Sequence, residues 1–257
     1  LREDGRITKE DDLNHLKKPT DSKTSERKER EEVVKMSKIR KTIATRLKES
    51  QNTAAILTTF NEVDMSGIID IREAKKDDFK ERYGVKLGFM SFFVKAVVEC
   101  LKEFPAVNAE IKDDTIVYKN HFDIGIAVGT EKGLVVPVLR NTEQKEAWEI
   151  HAELEDLVTR ARQRRLKVEE MQGSTFTVSN LGMYGISHFT SILNLPEVGI
   201  LSVGAVRKTP VVIDETVVVR PLMNVTLNAD HRAVDGMVAA RFLQTLQELS
   251  ESPSDFS

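Results

Sequence analysis

Asn224-Val225-Thr226-Leu227-Asn228-Ala229-Asp230-His231-Arg232-Ala233-Val234-Asp235-Gly236 demands more of the fold than any other stretch of this chain. It reads as a buried strand running into a tight turn, with a histidine at the strand end, an arginine after it and an Asp-Gly pair closing the turn. An apolar helix follows, from Met237 to about Leu249. A buried strand followed directly by an apolar helix needs a sheet around it and a helical layer on that sheet. The strand end is rigid while the turn is open to ligand, so a fold can hold a base still there and let substrate reach it.

The 257 residues, 40% hydrophobic and 31% charged, suffice for one large domain or two ordinary ones. A net charge of −3 gives no reason to expect nucleic acid as a partner. No apolar run is long enough to span a membrane, and the opening residues lack the pattern of a signal peptide. The lone cysteine, Cys100, has no internal disulfide partner, which suits a reducing compartment. Its place in an apolar helical pattern marks it as a small buried residue. The first residue is Leu1 rather than methionine, so the chain is expected to be a piece of something longer.

Residues 1–18 read as a separate small unit: a turn at Asp4-Gly5, then a short helix with Thr8 as its N-cap and Asp11 three positions on. That helix is too short to bury anything alone and is expected to end a truncated domain. Residues 19–32 lack any large apolar residue and read as a charged, solvated linker. The main domain, 33–257, opens with an amphipathic packing helix marked by Met36, Ile39, Ile43 and Leu47. A strand from Ile56 to Val63 follows, then a helix from its cap Ser66 to Tyr83, stopped by Gly84, and a largely buried helix from Phe89 to Phe104, ended by Pro105.

A strand-rich half comes next. Thr115–Tyr118 is one strand; Ile124–Gly129 and Leu134–Leu139 form a hairpin whose Pro137 points to an edge or bulge. A charged helix from Trp148 to about Arg164 turns Trp148, Leu154, Leu157 and Val158 inward. Its run from Arg160 to Arg165 reads as a solvated helix end rather than a phosphate site. Further strands are expected at Thr175–Asn180, Val198–Val203 and Val211–Arg220, the first leading into the glycine-punctuated loop Leu181–Gly185. Helices first and hairpin-linked strands later make an α+β fold with a mixed sheet.

Five histidines offer candidate bases. His15 lies in the N-terminal unit, His151 on a charged helix face, and His121 and His188 beside turns, with His188 placed to line a pocket after the glycine loop. His231 stands apart because Asp235 and Gly236 follow it in the turn. A base needs one tautomer and a fixed ring, and a nearby aspartate supplies this directly or by anchoring an arginine that shapes the turn. On spacing alone the pattern fits a catalytic histidine and a structural turn equally. The Gly-x-Ser-x-Gly, Cys-x-x-Cys, His-Glu-x-x-His, P-loop and Gly-x-Gly-x-x-Gly patterns are absent. A serine elbow, a zinc or other metal site, nucleotide hydrolysis and hydride transfer are therefore not expected.

Asp230–Gly236 resembles the Asp-His-Arg-x-x-Asp-Gly signature of the dihydrolipoyl acyltransferases, the catalytic cores of 2-oxo acid dehydrogenase complexes. Leu57–Met65, Leu87–Phe92, Gly133–Val138 and Thr175–Gly182 resemble the same family in the same order, within a match from about Val33 to Pro253. Residues 1–18 are similar to the tail of its peripheral subunit-binding domain, and 19–32 to its charged linker. The resemblance implies a chloramphenicol acetyltransferase-like two-layer fold that forms trimers. It implies His231 as general base, Ser179 as the hydroxyl that steadies the oxyanion, and Asp235 as the turn residue supporting the histidine. It also implies that His231 works across a trimer interface against Ser179 of the neighbouring subunit. Coenzyme A and dihydrolipoamide would enter one channel from opposite ends, with lipoate carried on an upstream lipoyl domain outside this chain.

The acyl group is expected to be succinyl, since Thr58–Val63 and Gly88–Ser91 look like the succinyl-transferring branch. Asn180–Ile186 and Val198–Ala205 look more like the acetyl-transferring branch, and Asn228-Ala229 replaces the commoner Ser-Tyr. Acetyl or branched-chain acyl transfer is thus the alternative. A non-catalytic scaffold would have lost the histidine, and a free acetyltransferase for small amines or alcohols would have no use for a binding-domain tail. The family implies trimers built into a large closed shell, a 24-mer for a succinyl type. The 2-oxo acid dehydrogenase component and dihydrolipoamide dehydrogenase would be held through the upstream binding domain, in bacterial cytoplasm or mitochondrial matrix.

Overall fold

The computed structural model describes residues 31–131 and 133–253. The expected unit at 1–18, with Thr8, Asp11 and His15, and nearly all of the 19–32 linker lie outside them. Two units divide between Thr45 and Arg46. The described part of the first is an irregular segment, 31–37, and the opening turns of helix α1 (Lys38–Thr53). The stripe expected to pack is instead exposed at Met36, Ile39 and Leu47. Ile39 and Leu47 each lie between two basic residues, so the apolar face is too narrow to bury. The one buried residue of α1 is Ser50, whose hydroxyl donates to the Leu193 carbonyl at 2.8 Å.

The second unit runs β1 (Ile56–Asp64), α2 (Ser66–Tyr83), α3 (Met90–Glu103), β2 (Ala109–Lys112), β3 (Thr115–Tyr118), β4 (Ile124–Thr130), β5 (Gly133–Val135), β6 (Val138–Leu139), α4 (Ala147–Arg162), β7 (Phe176–Asn180), β8 (Gly199–Ile213), β9 (Thr216–Asp230) and α5 (Gly236–Glu251). The main sheet has the order β1-β9-β8-β7-β4-β5, with β6 also beside β4. β4, β7 and β8 are parallel and the other pairs antiparallel, the mixed sheet that the element order predicts.

Side chains directly opposite on paired strands share a face. Ile126, Val178, Leu201 and Leu227 form one such row, and all are buried. They join Phe93 of α3 and Phe242 and Leu243 of α5 in a single core. Each large side chain buried there contributes about 1.5–3 kcal/mol. A one-residue slip of a strand would turn that row outward, so the core fixes which residues face the other way.

Several elements differ from expectation. Ser66 is not a cap: Met65 holds that position, and the Ser66 amide and hydroxyl both donate to Asp64 Oδ1, at 2.9 and 2.6 Å. Trp148 is not buried; it stacks on Tyr83 at 4.8 Å and 8° and stays 38% exposed. Thr115–Tyr118 pairs off the main sheet with Ala109–Lys112, a strand too short and polar to stand out. Pro137 splits the second hairpin strand into β5 and β6, as its missing N–H requires. Val211–Arg220 is not one strand but the tip of a hairpin, turning at Asp214-Glu215 between β8 and β9.

Candidate active site

His231 follows the last residue of β9. Its backbone N–H donates to the Ala55 carbonyl at 2.8 Å, tying the turn to the residue before β1. The preceding Asp230 uses every polar atom it has. Its N–H donates to Val198 O at 2.8 Å, and its carbonyl accepts from the amides of Ala233 and Val234, both at 2.9 Å. Its buried carboxylate accepts from Arg232 Nη2 at 2.6 Å, from Arg232 Nε at 3.0 Å, from the Arg232 amide at 3.1 Å and from the Ala55 amide at 3.3 Å. Burial opposes the charge on Asp230, but the Arg232 guanidinium prevails and holds the carboxyl below its ordinary range. The imidazole of His231 is left exposed at the end of this fixed backbone. Asp235 stands at the N-cap of α5, where its Oδ1 accepts from Val238 N at 2.9 Å. The arginine of the turn is therefore anchored by Asp230, not by Asp235.

The sheet face opposite the core carries serine, threonine and asparagine side chains among apolar ones. One row across it reads Ala127, Ser179, Ser202, Thr226, Phe60; the next reads Gly125, Thr177, Ile200, Asn228, Thr58. The segment between β7 and β8 lies against this face. Ser191 shares a hydrogen bond with Ser202 at 2.7 Å, and its amide donates to Asn228 Oδ1 at 3.0 Å; Asn228 Nδ2 in turn donates to Thr58 Oγ1 at 2.8 Å. Ser179 is half-buried near the carboxyl end of β7.

Ser179 and His231 of one chain do not meet. Ser179 is level with Thr226 two strands away, which is roughly 10 Å across the sheet, and His231 lies five residues further along, roughly 16 Å more. No rotamer of either side chain closes such a gap.

Among the buried titratable groups that the sequence pattern does not mark are Glu197 and His151. Glu197 accepts from Thr177 Oγ1 at 2.6 Å, from Asn194 Nδ2 at 2.9 Å and from the Ser174 hydroxyl. Burial pushes its pKa up to about 7 despite these donors. His151 is buried rather than on a charged face, and burial lowers its pKa. An aspartate or glutamate beside a run of strand residues, as at Asp230 and Glu197, was the available signal, because such groups are buried only when paired. The exposed His188 meets Phe60 edge-on at 5.8 Å, and Cys100 is buried as expected. Of the arginine run, Arg160 pairs with Asp156 and Glu170 and Arg164 with Glu131. Among the described residues, no group of three or more His, Cys, Asp or Glu side chains could hold a metal ion, and no helix is long and apolar enough to cross a membrane.

A family model, 2-oxoacid dehydrogenases acyltransferase (catalytic domain), matches residues 28–257, and the chain belongs to that family. The dihydrolipoyllysine-residue succinyltransferase component of the 2-oxoglutarate dehydrogenase complex from Rickettsia bellii (strain RML369-C) is 50% identical over 256 residues. That match takes in 97% of this chain but 64% of the relative's own length. Azotobacter vinelandii dihydrolipoamide acetyltransferase, studied for the role of one serine, one histidine and one asparagine in its catalytic mechanism, is 34% identical, with a TM-score of 0.84 over 88% of this chain and 93% of that one. The cubic core of the pyruvate dehydrogenase multienzyme complex is 35% identical, with the same TM-score of 0.84 over 88% and 93%. A chloramphenicol acetyltransferase, 14% identical with a TM-score of 0.51 over 79% and 92%, shares the fold alone, which is the one the sequence implied.

Proposed function

We infer that this chain transfers an acyl group, succinyl in preference, between coenzyme A and the dihydrolipoyl thiol of a lipoyl domain. The observation that carries the reading is the separation of Ser179 and His231 on one sheet, which supports a site to which each copy would supply one half and a second copy the other. The Azotobacter enzyme has its histidine 52 positions after its serine and its asparagine four after the histidine. His231 lies 52 positions after Ser179, and Asp235 lies four after His231.

The chemistry suits these groups. A free thiol has a pKa of about 8.5 and is mostly protonated at neutral pH. The neutral His231 imidazole takes that proton as the sulfur attacks the thioester carbon. The Ser179 hydroxyl donates to the oxyanion of the tetrahedral intermediate. Collapse breaks the bond to the first sulfur, and the imidazolium returns the proton to that departing thiolate. No acyl-enzyme is needed, because both thiols meet in one channel and their positioning supplies much of the rate. Asp235 supports the turn by capping the helix behind it.

Greater identity to the succinyltransferase than to the acetyltransferase favours succinyl over acetyl or branched-chain groups. Likeness to a cubic core supports trimers assembled into a 24-mer. Residues 19–32 would link this core to a binding domain, with residues 1–18 as its tail, that takes the 2-oxo acid dehydrogenase component and dihydrolipoamide dehydrogenase, in bacterial cytoplasm or, as the second choice, mitochondrial matrix.

Complementation tests the shared site. His231→Ala and Ser179→Ala chains, each nearly inactive alone, are unfolded, mixed one to one and refolded. About a quarter of the wild-type rate should return, because one ordered pairing in four joins an intact His231 to an intact Ser179. No recovery in mixed trimers would sink the reading. Rates with succinyl-CoA and acetyl-CoA, using free dihydrolipoamide, decide the acyl group.

A further inference from the structure

We propose that Asp230 and Arg232 act as one positioning unit that clamps the backbone on both sides of His231 and so presents its imidazole to the thiol in a single place. The inference rests on His231 being the base. Asp230 is 2% exposed, yet both of its carboxylate oxygens are engaged, chiefly by the residue that follows His231. The same carboxylate reaches the Ala55 amide at 3.3 Å while the Ala55 carbonyl receives the His231 amide at 2.8 Å. Both polar atoms of the Ala55 backbone are thus spent on the turn. The Asp230 amide is held by Val198, next to β8, and its carbonyl by Ala233 and Val234.

The His231 amide is therefore tied to the residue before β1, the Arg232 amide to the Asp230 carboxylate, and the Asp230 backbone to the residue before β8 and to the turn at Ala233-Val234, while the imidazole stays exposed. Arg232 is 42% exposed at its side chain and lines no core. A buried carboxylate that served stability alone would not need the arginine on the far side of the histidine. Nor would it need two of its bonds to close a ring of three residues with His231 at the centre. The planar fork of arginine is what makes that ring stiff, and lysine cannot reproduce it.

The test uses Asp230→Asn, Arg232→Gln, Arg232→Lys and the double variant Asp230→Asn/Arg232→Gln, with His231→Ala as reference. Each is purified as the assembled chain and assayed with succinyl-CoA and free dihydrolipoamide, with particle size and melting temperature measured on the same samples. A misplaced base predicts that kcat falls about 10- to 100-fold in each Asn or Gln variant. Both KM values should stay within about twofold, since binding is not what the clamp controls. The double variant should be no worse than the poorer single one, because two residues acting as a unit do not lose activity twice. Arg232→Lys should recover part of the loss. Losses that multiply in the double variant, or kcat per assembled particle within about twofold of wild type in both single variants, overturn the proposal. The same holds for a loss that follows only the unfolded fraction. If those variants are active while His231→Ala is dead, only the clamp falls; an active His231→Ala removes the base itself.

Discussion

Gly182 and Gly204 meet backbone to backbone: a methyl group on Gly182 would lie 2.4 Å from the Gly204 carbonyl oxygen, and one on Gly204 would lie 1.9 Å from that of Ser187. The loop that follows Ser179 is thereby laid flat on β8. Asn180 Oδ1 holds the Gly182 amide at 2.7 Å, so the end of β7 and the glycine contact form one support for the Ser179 hydroxyl.

A methyl group at position 182 has backbone to displace, not a side chain. Gly182→Ala should destabilise by about 1–3 kcal/mol, the usual cost of overpacking. If Ser179 is the proposed oxyanion donor, the variant should also lower kcat by roughly 10-fold or more, because that hydroxyl shifts. Gly84→Ala is the comparison: Gly84 has φ 73 with nothing within 4 Å of an added methyl. It should cost about 1 kcal/mol in a melt through backbone strain alone and leave the rate unchanged. Equal rates for the two variants would detach the loop from Ser179.

On the proposed mechanism, Ser179→Ala removes one oxyanion donor. By analogy with other oxyanion holes this should cost about 3 kcal/mol, or roughly 100-fold in kcat, with little change in the KM for coenzyme A. Ser179→Thr keeps the hydroxyl and should keep most of the rate. Initial rates over a range of coenzyme A concentrations separate the two terms, and a loss confined to KM would assign Ser179 to binding.

Glu197 should make the stability of the fold depend on pH. Its pKa rises from 4.5 to about 7, mainly through burial. A carboxyl whose folded pKa is raised stabilises the fold fully below pH 4.5 and loses that contribution as pH rises towards about 7. Each pH unit between those two values is worth about 1.4 kcal/mol, so the loss is about 3 kcal/mol. Glu197→Gln mimics the protonated acid and should flatten this part of the profile, so the variant melts higher than wild type at pH 8 and alike at pH 4.5. Thermal melts across that range check it, and parallel curves for the two proteins would refute it.

Local pattern carried much of the fold. β1, α3, β4 and β7 stand within a residue or two of where β-branched runs, apolar periodicity and glycine stops put them. The β8–β9 turn was illegible because Asp214 and Glu215, at φ 48° and 60°, have none of the glycine or asparagine that such a turn favours, and strand-forming residues lie on both sides. α1 misled because periodicity reports a stripe, not whether anything covers it. At the site, motif resemblance points to Ser179 and His231, and β9 ends at Asp230, which leaves His231 at the strand end that its sequence implies. Asp235 is recognisable from its cap chemistry alone. The partnership of Asp230 with Ala55 was not readable, since it joins residues 175 apart and leaves no mark on the spacing of either neighbourhood.

That same distance sets the order in which the protein can be made. β1 is complete early in synthesis, but among the described residues its one sheet partner is β9, the last strand of the sheet in the chain. At ~5–20 residues per second the ribosome needs roughly 9–35 s to deliver it. For that interval β1 has no neighbour, and its open edge is a hazard for pairing with other chains. Pairings this far apart in sequence are also slow to form. A nascent chain therefore carries Ser179 on a finished strand well before the turn that holds His231 exists, and on the proposed shared site a chain halted short of β9 would lend a neighbour its hydroxyl but never its base.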